Sequence, residues 1–153
     1  MANVYSKVYL HTIFAVKYRQ ALLDQKWRQD LFSYMSGIIN NRGNYSLAVN
    51  GYYDHVHLFF DYKGRELISD LVRELKKASN DYIKDHRLTR SKFHWQSGYA
   101  VFSHGYKEKK TVIKYIMDQE DHHKKRPFKQ EYLQFLNEFE IEFKNEYLFD
   151  FLE

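Results

Sequence analysis

The run YSLAVNGYYDHVHLFFDYK, residues 45–63, decides the fold. It divides into two short segments rich in β-branched and aromatic residues, separated by the turn-forming stretch Gly51 to Asp54, and so reads as an antiparallel strand pair. Alternation along the second strand sends Val56, Leu58 and Phe60 to one side of the sheet and His55, His57 and Phe59 to the other. Two imidazoles on one face, two residues apart, can hold one metal ion between them.

Working outward, residues 4–16 (VYSKVYLHTIFAV) carry β-formers without a breaker and predict a long strand. The next segment opens on Asp24 as a helix cap, spaces Trp27, Leu31, Tyr34, Met35 and Ile38 at helical intervals, and closes at Gly43. Beyond the strand pair, residues 66–86 form a second amphipathic helix with Leu67, Leu71, Leu75 and Tyr82 on its apolar face. Residues 93–105 (FHWQSGYAVFSHG) predict a further strand bent at Gly98. The order is β-α-β-β-α-β, a split βαβ or ferredoxin-like α+β fold with helices on one face of an antiparallel sheet. After Gly105 a third helix, EKKTVIKYIMDQEDHHKK, ends near Arg126, because Pro127 disfavours helix at the residue before it. A last helix and an aromatic tail follow over 127–153, so the chain reads as one domain, 1–153, with a core of about 4–125.

Composition fits that reading. The 153 residues are 44% hydrophobic, with one Pro, six Gly and no repeat or linker to mark a boundary. Cysteine is absent, which excludes disulfides and thiolate metal sites and leaves His, carboxylate or amide ligands. The N-terminal sequence lacks the pattern of a secretory signal, and no apolar run approaches membrane-spanning length, so a cytoplasmic protein without a membrane partner is expected. A net charge of +4, with basic clusters at Lys17–Arg19, Arg73–Lys77, Arg87–Lys92, Lys107–Lys110 and Lys124–Lys129, leans toward a polyanion partner.

Neither motif is decisive alone. Eight His in 153 residues produce an HxH triplet about 0.4 times by chance. In YIMDQ, Tyr115 and Gln119 lie one helical turn apart beside the apolar arc of Val112, Ile113, Ile116 and Met117, with His122 on the same edge. Together the types make chemical sense. Neutral imidazoles and an amide oxygen can hold a divalent cation that polarises a phosphate, and a tyrosine can attack it, conserving the energy of the broken bond in a phosphotyrosyl ester.

Five segments in order, HTIFAVKYRQALL, DHVHLFF, WQSGYAVFS, YIMDQEDHH and KQEYLQFL, make the chain resemble the small IS200/IS605-type transposases, single-tyrosine members of the HUH (His-hydrophobic-His) nuclease superfamily. The resemblance implies metal ligation by His55, His57 and Gln119, with Mg²⁺ or Mn²⁺ as the ion, and Tyr115 as the nucleophile. It implies cleavage and rejoining of single-stranded DNA with hairpin ends, within a homodimer whose tyrosine helices can complete each other's sites. The chain departs from the pattern at Asp118, where Asn is common, and in the extra His104; His122 and His123 fall within the motif without an assigned role. Gly105, ahead of the tyrosine helix, would be its hinge. The competing reading is a non-catalytic RRM-like module that stacks bases on exposed Tyr52, Tyr53 and Phe59, although the glycine-bearing RNP motif is missing.

Overall fold

The computed structural model describes residues 3–18 and 21–151. Arg19 of the first basic cluster and Leu152 and Glu153 of the tail lie outside the described residues. Four strands, β1 (Tyr9–Ala15), β2 (Tyr45–Gly51), β3 (His55–Asp61) and β4 (Ala100–His104), form one antiparallel sheet in the order β2-β3-β1-β4. With α1 (Arg28–Asn41) between β1 and β2 and α2 (Ile68–Asp85) between β3 and β4, the ferredoxin-like arrangement read from the sequence is the one that forms.

Every residue of β1 and β3 is buried, so both sheet faces are covered. On one side Leu31, Phe32, Met35 and Ile39 of α1 and Leu71, Val72 and Leu75 of α2 join Phe14, Val56, Leu58 and Phe60 in the main core. On the other, α3 (Lys109–Met117) sets Val112 and Ile116 against Tyr9, Ala48 and Phe59. Phe59 is therefore fully buried, and the base-stacking platform of an RRM-like module is occupied by the protein's own helix. The register pairs His57 with Ile13 and Asn50, Phe59 with His11, and Tyr9 with His104, which gathers His11, Asn50, His55, His57 and His104 on the α3 side.

Several boundaries differ from the sequence reading. The first strand begins at Tyr9, not residue 4, because β3 stops at Asp61 opposite Tyr9 and leaves earlier residues no partner; Val4 and Tyr5 are exposed. Asp24 caps a preliminary turn through its side-chain bond to the Lys26 N–H, while Trp27 occupies the N-cap of α1. Leu67 stands at the N-cap of α2 and is exposed, outside the apolar face. The strand expected over 93–105 is broken at Gly98 (φ +89°), leaving Trp95 in a single bridge to Val16. The third helix is interrupted at Asp118, where α3 ends and a short α4 (Gln119–His123) begins. Pro127 ends that segment as expected and serves as the N-cap of α5 (Phe128–Glu138).

The β2–β3 turn fixes where the HxH strand starts. A Cβ on Gly51 would lie 2.2 Å from the His55 carbonyl oxygen and 3.0 Å from the Val56 Cα, both backbone atoms that cannot swing aside. Gly51→Ala should cost roughly 1–3 kcal/mol of unfolding free energy through overpacking. Urea denaturation will read this as a lower midpoint with unchanged slope.

Candidate active site

The site grows from the β3 alternation and the break at Asp118. Asn50, beside His57 in the sheet, donates through Nδ2 to the Ile116 and Met117 carbonyls at 3.0 and 3.1 Å, satisfying carbonyls at the end of α3. Gln29 in turn donates to Asn50 Oδ1 at 2.9 Å. This clamp fixes the end of the helix that carries Tyr115, and the turn at Asp118 directs Gln119 inward, where it is fully buried.

The carboxylate of Glu131, on α5 and with no exposed surface, stands at the centre. Its Oε1 lies 3.0 Å from His57 Nε2, 3.1 Å from His123 Nε2 and 3.5 Å from His55 Nε2. Its Oε2 accepts from Gln119 Nε2 at 3.1 Å and from the Tyr115 hydroxyl. Gln119 Oε1 faces His55 Nε2 and His123 Nε2, both at 3.0 Å. Arg126 donates to the Tyr115 oxygen at 3.2 Å. Rings brace the cluster: His55 lies flat on Phe128 at 4.0 Å, His123 stacks on Tyr52, and Tyr115 on His122.

The electrostatics follow from burial. Burial would raise the Glu131 pKa, but His57, His123 and His55 hold it far below the usual carboxylate range. His57, despite Glu131, is pushed down by burial, so the pair stands as carboxylate and neutral imidazole. His11 is lowered further, by burial and then by His57 and His104. His55 goes the other way: burial opposes its charge, but the Asp54 carboxylate on Nδ1, then Glu131 and Gln119, hold its pKa above the ordinary value. The Tyr115 phenol is pushed well up by burial and by the Glu131 charge, with Arg126 opposing more weakly.

The donor set fits a divalent cation. His55, His57, His123 and Glu131 each offer one ligand atom, all within 4.8 Å of one another. His55 gives its outer nitrogen to Asp54 at 2.7 Å and His57 sets Nδ1 2.7 Å from His11 Nε2, the supporting bonds that orient metal-binding imidazoles. With its proton on Nδ1, a neutral His55 would point the lone pair of Nε2 at the lone pairs of Gln119 Oε1, a confrontation that a cation or a second proton relieves.

Residues 4–119, a span that takes in all four strands, Tyr115 and Gln119, match the family described as transposase IS200-like. The chain belongs to the IS200-like transposase family. Such a transposase is a DNA-cleaving enzyme. Among solved structures, a candidate transposase from Deinococcus radiodurans R1 is similar in fold, with a TM-score of 0.61 at 23% identity over 78% of this chain and 95% of that one. A REP-associated tyrosine transposase bound to a REP hairpin gives 0.57 at 17% identity over 80% of this chain and 73% of that one. No curated protein matches the sequence.

In this IS200-like transposase the sequence-read residues His55, His57, Tyr115 and Gln119 converge within a single chain. Sequence reasoning left His123 without a role and missed Glu131 and His11. A signal for Glu131 existed: at the i+3 position from Phe128 it interrupts the apolar stripe that continues through Tyr132 and Phe135. His104 pairs with Glu108 across 3.3 Å and is not part of the cluster. Gly105 has φ −77°, which any residue adopts, and its N–H donates to Glu108.

Because the Glu131 charge raises the phenol, removing it must act in the opposite direction. Glu131→Gln should let Tyr115 ionise at lower pH. Tyrosinate absorbance during alkaline titration, with Tyr115→Phe subtracted, measures the shift.

Proposed function

We propose that this chain cleaves and rejoins single-stranded DNA at insertion-sequence ends through a 5′-phosphotyrosine on Tyr115, with a divalent cation held by His55, His57, His123 and Glu131 and contacted by Gln119. One observation carries the reading: a tyrosine hydroxyl and three imidazole nitrogens share one buried carboxylate. Three imidazoles favour an ion softer than Mg²⁺, and of the two expected ions Mn²⁺ suits the set better. When bound, the cation would polarise the scissile phosphate and neutralise developing charge.

The chain's own groups supply the rest. Glu131 accepts the hydrogen bond of the resting phenol and, with burial, keeps it protonated. Arg126 bonds the same oxygen and favours its ionised form. Attack by the Tyr115 oxygen forms the P–O(Tyr) bond and breaks the bond to the 3′ oxygen, which leaves as a hydroxyl after taking up a proton. The retained ester energy permits the reverse attack by another 3′ hydroxyl. The fold likeness to a hairpin-bound transposase supports a hairpin partner. Tyr115 and His57 belong to one chain, with ring centroids 6.2 Å apart, which favours a tyrosine acting in its own subunit whether or not the protein is a homodimer.

The test is a covalent adduct on labelled single-stranded DNA from the flanking hairpin region, resolved in denaturing gels with Mn²⁺ present. The wild type should form it, and Tyr115→Phe and His57→Ala should each lose at least about a hundredfold, the scale of a lost nucleophile or ligand. Mixing the two variants should restore nothing. Restoration would show that the tyrosine works in trans, and an adduct undiminished in Tyr115→Phe would refute the nucleophile assignment.

A further inference from the structure

On the side of Tyr115 away from His55, a cavity of about 380 Å³ opens between α3, α5 and the end of β4. That volume lies within the range of small-molecule sites, roughly 300–1,000 Å³. His11, His104, Val112 and Phe135 line its walls, with Lys107 and Arg126 bringing positive charge. Neither histidine belongs to the metal-binding set, and each is at least nine-tenths buried. Yet each keeps one ring nitrogen without a partner, Nδ1 of His11 and Nε2 of His104. Their ring centroids lie 5.9 Å apart and no hydrogen bond joins them. A buried polar atom left unpaired is costly, so two in the wall of one cavity indicate a ligand that pairs with both.

The chemistry of that ligand can be narrowed. His104 Nδ1 faces Glu108 Oε2 across 3.3 Å, so its proton sits there and Nε2 presents a lone pair. A phosphate, which offers only acceptors, cannot satisfy that atom. The edge of a nucleobase can, because adenine, cytosine, guanine and thymine all carry N–H donors next to acceptors. His11 Nδ1 is donor or acceptor according to which ring holds the proton shared with His57, and base edges serve either. Phe135, edge-on to His11 at 5.3 Å, supplies an aromatic surface for stacking.

We propose that this cavity seats one nucleobase of the DNA strand, beside the phosphate that Tyr115 attacks, and that His11 and His104 read its edge while Lys107 and Arg126 meet its phosphates. Its place in the reaction rests on the reading of Tyr115 as the strand-cleaving nucleophile, but occupancy of the seat does not.

The experiment titrates the purified, metal-free chain with dAMP, dGMP, dCMP, dTMP and 2-deoxyribose 5-phosphate, following the His ring nitrogens by NMR. At least one nucleotide should bind about tenfold tighter than the sugar phosphate, the scale of two ordinary hydrogen bonds, and should move the His11 and His104 signals. His104→Phe, which keeps a ring but removes the acceptor, should abolish the preference. Thr111→Trp, at an exposed position on the cavity wall, should weaken all four nucleotides by filling the space. Equal affinity for nucleotides and sugar phosphate, or a preference that survives both substitutions, would overturn the proposal. Nucleotide binding that moves these signals in a chain that forms no DNA adduct would uphold the seat while removing the nucleophile reading.

Discussion

A carboxylate with no exposed surface has to be answered by donors or charge, since leaving it unpaired costs several kcal/mol. Glu131 is answered on both oxygens, by imidazoles on one and by an amide and a phenol on the other. Much of the site's architecture can be read as meeting that demand. The α5 helix lies over the histidine face with Phe128 flat on His55 and Phe135 edge-on to His11 and Tyr115. The interruption at Asp118 turns Gln119 and His123 toward the same point, and Asn50 holds the end of the helix that delivers Tyr115. Nucleophile and candidate metal ligands therefore meet through one side chain.

That meeting has a chemical consequence. The charge that would attract a cation also raises the nucleophile, so the resting tyrosine stays protonated until something neutralises Glu131 or stabilises the phenolate. Arg126 is the guanidinium bonded to that oxygen. A site of this kind favours ionisation of the phenol when charge is supplied at the carboxylate and disfavours it otherwise, which restrains unproductive attack.

Much of this was legible in the sequence because period-two alternation in a covered strand leaves little freedom. The β3 pattern gave the face of His55 and His57 correctly, and Gly43 and Pro127 ended their segments where expected. What escaped depends on tertiary packing. Strand length is set by the partner, so β1 loses residues 4–8 to the shortness of β3. The break at Asp118 is stabilised by Asn50, sixty-odd positions earlier, and no local propensity reports it. Glu131 and His123 lie beyond residues 4–119, the span that matches the family, so the resemblance offered no role for them. Only the charge within an apolar stripe pointed to Glu131.

The central claim, that Glu131 and His123 complete a cation site begun by the strand histidines, is tested most directly by anomalous diffraction from a Mn²⁺-soaked crystal. The account predicts one strong peak within about 2.0–2.4 Å of His55 Nε2, His57 Nε2, His123 Nε2 and a Glu131 oxygen, distances typical of such ligands. A peak held by His55 and His57 with Glu131 and His123 turned away, or no peak at this cluster, would contradict it.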